Sequence, residues 1–283
     1  MNNESRDNTA DFDAIIVGAG LCGIYMLYKL LQQGLRVMVV DRADEPGGTW
    51  YWNRYPGARF DSESYTYGYS FSDALLQEWD WSEHFAAQPE TLRYLNHVVE
   101  HFDLREHMQF GLSVERADYN EADSLWAVTL DDGRSLSCRY LLTAVGMLSA
   151  ATLPNISGGE EFHGKSFHTY YWPKEPVDLK GKRVAVIGTG ATGVQIIGAI
   201  APEVGQLTVF QRRPNWCAPL HNSPIDAEEM ARIKESYADI FARCRATPNG
   251  FLHAPDRRVM ADLSEAERHA FWDELYNSPG FGV

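Results

Sequence analysis

Two glycine-rich runs of identical spacing, Gly18-Ala-Gly20-Leu-Cys-Gly23 and Gly188-Thr-Gly190-Ala-Thr-Gly193, carry the most legible chemistry in this chain. Each closes a short apolar stretch, Ala14 to Val17 and Arg183 to Ile187, and each opens a segment that reads as a helix. In that strand-to-helix setting a side chain would hold a pyrophosphate away from the amides at the helix N-terminus, so glycine is required. One such loop is a weak signal; two predict two dinucleotides in one chain, the arrangement that passes electrons from a nicotinamide to a flavin. The next strand separates the two sites. After the first loop, Arg36 to Val40 ends in Asp41, an acid placed to accept hydrogen bonds from ribose hydroxyls, which fits the unphosphorylated adenosine of FAD. After the second, Gln206 to Phe210 runs into Gln211-Arg212-Arg213 with no acid. Two guanidinium groups suit a 2′-phosphate, which a carboxylate would repel, so this site predicts NADPH. The plain alternative is two ordinary βαβ units with turn glycines and surface arginines.

The elements that must hold these loops follow from the pattern. The first βαβ unit spans Phe12 to Val40, and a loop dense in glycine and aromatics, Glu45 to Gly57, comes next. Trp50, Trp52, Tyr55, Phe60, Tyr65, Tyr67, Tyr69 and Phe71 are candidates either to line a flat ring or to fill a core, core being favoured for most. Leu92, Leu95, Val98, Val99 and Phe102 predict a helix starting near Pro89. Strand-like runs over Leu112 to Tyr119 and Leu125 to Leu130, the turn signal Asp131-Asp-Gly133, and the apolar run Leu136 to Val145 predict an antiparallel meander. Leu148 to Gly159, rich in Pro, Gly and Ser, reads as an interdomain linker. The expected division is an FAD-binding domain over 1–148 and an NADPH-binding domain over 149–283 that ends in helical segments from 223 onward, with Asp226-Ala-Glu-Glu229 and Ser264-Glu-Ala-Glu267 as helix starts.

Composition narrows the function classes. A formal charge of −14 argues against nucleic acid or anionic membrane as partner. Cys22, Cys138, Cys217 and Cys244 lack C-x-x-C spacing, so no metal site or disulfide framework is expected and all four read as reduced packing residues. The polar start, Met1 to Asp13, is unlike a secretory signal, and the uncharged, glycine-interrupted run Ala14 to Tyr28 falls short of the roughly twenty residues of a membrane span. A cytoplasmic enzyme is expected, with no protein partner implied.

Between linker and second loop stands Phe162-His-Gly164-Lys-Ser-Phe-His168-Thr-Tyr-Tyr-Trp172-Pro173, which fits F-x-G-x-x-x-H-x-x-x-W-P at every specified position. This resembles the fingerprint of Baeyer–Villiger monooxygenases, flavoenzymes that insert one oxygen atom of O2 beside a ketone carbonyl. The stretch Gly47-Gly48-Thr49-Trp50 through Asp61 resembles the flavin-side loop of that family, and Gln211 to Trp216 its segment after the nicotinamide site. The resemblance implies FAD and NADPH as cofactors and a small-molecule ketone with O2 as substrates, giving an ester or lactone by way of a peroxyflavin. It implies a catalytic role for Asp61, tuning an arginine near the flavin, and a 2′-phosphate contact for Arg212. Family members often carry Thr or Ser where this chain has Arg213. Cofactor contacts are then expected from Gly18, Gly20, Gly23, Asp41, Gly48, Thr49 and Trp50 on the flavin side, and from Gly188, Thr189, Gly190, Thr192, Gly193, Gln195, Arg212 and Arg213 on the nicotinamide side. Phe162, Gly164, His168, Trp172 and Pro173 are expected to couple the two domains rather than touch substrate.

The fold class expected is α/β, with two dinucleotide-binding, Rossmann-like domains, FAD then NADPH, a small antiparallel β insertion, and an incomplete second domain. No strand signal follows Phe210, where a doubly wound domain needs about five or six strands. The resemblance covers the first half of a family member and lacks the region of the catalytic arginine, so a truncated chain with poor solubility and little activity alone is expected. Two other readings stay open: an N- or S-oxygenating flavin monooxygenase, and a nucleotide-binding fragment without turnover. Cyclic, linear, aryl and steroidal ketones are all compatible with the sequence.

Overall fold

A computed structural model describes residues 10–253 and 258–280. It divides into two compact units, Met1–Arg54 with Thr91–Lys174, and Tyr55–Glu90 with Glu175–Val283. Compactness thus joins 149–174 to the first unit and 55–90 to the second, while the expected boundary after Leu148 concerns which cofactor each stretch holds.

In the first unit, β1 (Phe12–Val17), α1 (Leu21–Leu31) and β2 (Val37–Asp41) form the predicted βαβ unit, with β1 and β2 parallel and Ala14 opposite Val37. Between β2 and the second unit's first residue lies α2 (Thr49–Trp52), and the second unit then contributes α3 (Ser64–Tyr67) and α4 (Asp73–Glu78). Next, α5 (Gln88–His101) starts beside the expected Pro89 and buries Leu95, Val98 and Val99 along one face. A short β3 (Met108–Phe110) then pairs parallel with β2. It is too short for alternation to reveal it in sequence.

The meander is β4 (Val114–Asn120), β5 (Leu125–Leu130) and β6 (Ser135–Thr143), all antiparallel to their neighbours within it. The sheet order is β3-β2-β1-β6-β5-β4, so β6 ends the meander and also lies parallel to β1. It stops at Thr143, two residues before the expected Val145. One core serves both parts of the sheet: Ile15, Met38 and Val40 pack with Val128, Leu130 and Cys138.

In the second unit β7 (Arg183–Ile187), α6 (Ala191–Ile200) and β8 (Gln206–Phe210) form the second βαβ unit. Among the described residues its sheet has these two strands only, matching the expected incomplete domain, and Ile187, Val209 and Phe210 are exposed. Two helices follow, α7 (Ala227–Ala246) and α8 (Glu265–Tyr276). Asp226 caps α7 by accepting from the Glu229 amide, and Ser264 with Glu267 forms a full capping box on α8. Among the described residues no helix is long and apolar enough to cross a membrane.

The expectation that all four cysteines are packing residues is corrected for two of them. Cys138 and Cys244 are buried, whereas Cys22 and Cys217 are exposed, because Cys22 falls on the outer side of the first turn of α1. All four are free thiols.

Candidate functional site

At the first loop, Gly23 sits one turn into α1, and a Cβ there would lie 1.8 Å from the Gly18 carbonyl oxygen. The helix can approach the strand this closely only without a side chain. Gly193 repeats the arrangement in the second unit, where a Cβ would meet the Gly188 oxygen at 2.4 Å. Gly20 and Gly190 occupy the N-caps of α1 and α6 with no side-chain capping bond, so each helix start presents its positive end without a competing protein acceptor from the cap.

Gly48 closes the first loop from above. Its φ of +53° with ψ of −116° suits glycine, and a Cβ would come within 2.7 Å of the Gly20 Cα. The Gly47 amide donates to the Ala19 carbonyl at 2.9 Å, fixing the flavin-side loop to the glycine turn. Trp50 is buried behind it and Thr49 faces solvent.

Asp41 ends β2 as the sequence predicts and is 9% exposed. Its Oδ2 accepts from the Ala19 amide at 2.6 Å and its Oδ1 from the Ala43 amide at 2.8 Å. Each carboxylate oxygen has a second lone pair, so the group can brace the glycine turn and still accept from a ribose. Glycines that a Cβ would fill, an uncapped helix start and this acid together fit FAD. In the second unit open space surrounds Gly188 and Gly190, and Arg212 and Arg213 are exposed beyond β8, which fits a phosphorylated nicotinamide dinucleotide. Asn215 Nδ2 donates to the Thr189 carbonyl at 2.9 Å, and the Thr189 hydroxyl donates to the Arg213 carbonyl at 3.4 Å, so the arginine segment is tied to its glycine loop.

Gln195, expected on the nicotinamide side, also makes two hydrogen bonds within the protein. Its Oε1 accepts from the Tyr55 hydroxyl at 2.8 Å and its Nε2 donates to the Arg59 carbonyl at 2.8 Å, seating residues 55–59 on α6. Thr192 Oγ1 lies 3.5 Å from the same hydroxyl. Burial raises the Tyr55 phenol above its ordinary value, so it stays a donor. Asp61 lies in the second unit and is exposed.

The fingerprint segment folds onto the flavin-side loop within the first unit. His168 caps a 3-10 turn over Thr169–Tyr171, its Nδ1 accepting from the Tyr170 amide at 3.1 Å, which fixes the imidazole as the Nε2–H tautomer. That turn aims Tyr170, 6% exposed, at the end of β2. Arg42 donates to the Tyr170 hydroxyl at 2.8 Å and to the Ser149 carbonyl, and the same hydroxyl donates to Ser149 at 3.2 Å. The Tyr170 ring stacks on Trp52, centroids 5.5 Å apart and planes 10° from parallel, and the Arg42 guanidinium lies 5.2 Å from the Trp52 ring. Lys174 adds a solvent-exposed contact, 2.6 Å from Asp44. Its hydrogen bond lowers the Asp44 pKa, and Asp44 in turn raises that of Lys174. Trp172 packs beside Phe167, Pro173 is half-buried, and Phe162 is exposed with its ring over Gly164.

Sequence reasoning passed over Arg42, Ser149 and Tyr170. Arg42 follows the ribose acid directly, but Tyr170 occupies a variable position of the fingerprint, where no pattern marks it. An apolar cavity of 420 Å³ lined by Ala14, Leu30, Leu35, Trp126, Tyr140 and Leu142 holds none of the candidate residues.

Residues 15–244 match the family model described as pyridine nucleotide-disulphide oxidoreductase. The chain is 46% identical over 285 aligned positions to 2-oxo-Δ3-4,5,5-trimethylcyclopentenylacetyl-CoA monooxygenase of Pseudomonas putida, covering 99% of this chain and 52% of that protein. It is 44% identical over 273 positions to a Baeyer–Villiger monooxygenase of Pseudooceanicola batsensis, covering 94% and 50%. The structure of OTEMO complexed with FAD and NADP superposes with a TM-score of 0.93 at 47% identity, covering 97% of this chain and 53% of that one. The chain therefore spans about half the length of the curated relatives it matches.

Proposed function

This chain belongs to the pyridine nucleotide-disulphide oxidoreductase family and is similar along its length to Baeyer–Villiger monooxygenases, and on that premise we propose that it holds FAD and NADPH for insertion of one oxygen atom beside a ketone carbonyl. One observation carries the reading. A single chain folds two glycine loops of the same design, one backed by Asp41 and the other followed by Arg212 and Arg213, so an unphosphorylated and a 2′-phosphorylated adenosine each have a matching end. In this assignment residues 1–148 serve FAD and residues 149–283 serve NADPH, in a cytoplasmic enzyme.

Bound FAD, reduced by NADPH, supplies the electrons that activate O2. The net reaction consumes ketone, O2, NADPH and a proton, and yields ester or lactone, water and NADP+. The chain's residues bind and orient. Asp41 accepts from the ribose while holding the Ala19 and Ala43 amides. The N-terminus of α1 takes the pyrophosphate of FAD, and that of α6 the pyrophosphate of NADPH, through backbone donors that need no reorganisation. Thr49 and Trp50 bound the flavin side, and Thr189 positions the Arg212-Arg213 segment. Asp61 keeps the catalytic role that the family resemblance implies, tuning the arginine that supplies positive charge for oxygen chemistry. A ketone is the substrate class because the oxo group in the name of the Pseudomonas putida relative is one.

The test is an incubation of the chain with FAD, NADPH, 18O2 and a cyclic ketone or, separately, a tertiary amine. A lactone carrying one 18O atom supports the proposal. An N-oxide without lactone moves the chain to the N-oxygenating class, and NADPH oxidised without oxygenated product, or not oxidised at all, favours a nucleotide-binding fragment without oxygenation.

A further inference from the structure

The contacts of Arg42 point to a role beyond holding the chain's fold. Arg42 is the residue directly after Asp41, and the two amides that flank this pair, Ala19 across the glycine turn and Ala43 along the chain, both donate to the Asp41 carboxylate. The backbone that carries Arg42 is therefore pinned by the same acid to which the FAD reading gives the ribose. Beyond that backbone the guanidinium meets the fingerprint segment at the Tyr170 hydroxyl, and also touches the Ser149 carbonyl and the face of Trp52, on which Tyr170 stacks. The contrast with Lys174 is informative. The Lys174–Asp44 pair is open to water on both sides, as exposed ion pairs that contribute little are. The Tyr170 hydroxyl is held by two partners in a ring that is 6% exposed, and burial raises its pKa so that it stays protonated and donates to Ser149.

We propose that Arg42, with Trp52 and Tyr170, is a positioning latch that couples FAD occupancy at Asp41 to the order of the fingerprint turn at 168–172. This rests on the FAD reading above. A ribose on Asp41 stiffens the Asp41–Ala43 turn, which orders the Arg42 side chain and lowers the entropy cost of closing the latch on Tyr170. Coupling between two binding events is reciprocal, so closing the latch tightens FAD by the same factor. His168 contributes indirectly, by capping the turn that aims Tyr170.

The readout is amide hydrogen exchange in the full chain with and without FAD, together with FAD affinity from quenching of flavin fluorescence. The reporters are the Tyr170 amide, bonded to His168 Nδ1, and the Tyr171 and Trp172 amides, bonded to the His168 and Thr169 carbonyls. In the wild type, FAD slows exchange at these amides by about tenfold, a coupling of about 1.4 kcal/mol. In Arg42→Ala the FAD-induced change vanishes and the FAD Kd rises by about the same factor. Tyr170→Phe keeps the ring stack and drops the hydroxyl, so it folds with the Trp52 contact intact and shows a reduced FAD response. A merely structural role would speed exchange equally with and without FAD in both variants, and that result overturns the latch. So does wild-type exchange at 170–172 that ignores bound FAD. Failure of FAD to bind at all is a separate outcome: it overturns the FAD reading and the latch with it.

Discussion

Replacing Asp41 tests whether one carboxylate both braces the glycine turn and meets the cofactor. In Asp41→Ala the Ala19 and Ala43 amides lose acceptors at 2.6 and 2.8 Å in a site where the acid is 9% exposed. An orphaned buried donor costs about 1–3 kcal/mol, and the opening that remains lets some water in, so the expected loss is about 2–4 kcal/mol for the cofactor-free chain. Asp41→Asn keeps the shape but offers one acceptor oxygen to two donors, so about 1–2 kcal/mol is expected. The assay is urea unfolding followed by tryptophan fluorescence without FAD, then FAD titration of the folded variants. The ribose bonds add a second signature, a rise in FAD Kd of at least about tenfold, or 1.4 kcal/mol. Asp41→Ala within about 0.5 kcal/mol of wild type without FAD would refute the bracing argument. Lost stability with unchanged FAD affinity would refute the ribose contact.

Four further outcomes follow from the same contacts. Gly48→Ala places a Cβ 2.7 Å from the Gly20 Cα at a φ of +53°, and is expected to cost about 1–3 kcal/mol of stability and to weaken FAD binding, read by denaturation and flavin fluorescence. Gln195→Leu strands the Arg59 carbonyl and leaves the Tyr55 hydroxyl only its 3.5 Å contact with Thr192, so a loss of about 1–3 kcal/mol and faster proteolysis at residues 55–59 are expected. Arg212→Ala, at an exposed site, should lower the preference for NADPH over NADH by about 5- to 30-fold in direct binding, with NADH affinity unchanged. Burial pushes the Tyr65 phenol up to about 12, so an unfolded chain releases that proton first on alkaline titration. The resulting stability is present below the ordinary tyrosine range and fades as pH rises toward about 12, a slope that Tyr65→Phe should reduce.

Much of the fold was readable because the chemistry constrains the backbone. Gly18, Gly23 and Gly193 stand where a Cβ would meet backbone within 2.5 Å, and Gly188 takes a φ of +103° that favours glycine. The meander was visible through its strand-like runs and the Asp131-Asp-Gly133 turn, although β6 stops at Thr143, before Val145, with the Ala144 amide still bonded to the Val17 carbonyl at 2.8 Å. Three things were not legible. β3 is three residues long and its pairing with β2 is purely tertiary. The assignment of residues 55–90 to the second unit depends on contacts such as Tyr55 with Gln195, which lie 140 residues apart in the chain. The Arg42–Tyr170 contact spans 128 residues and uses a variable fingerprint position, so no local pattern announces it.

The most direct test of the central claim is the visible absorption spectrum of the purified chain after gel filtration with added FAD. The account predicts flavin bands that travel with the protein at one flavin per chain, and that bleach when NADPH is added without oxygen. Protein that emerges colourless, with all flavin in the small-molecule fraction, would contradict it.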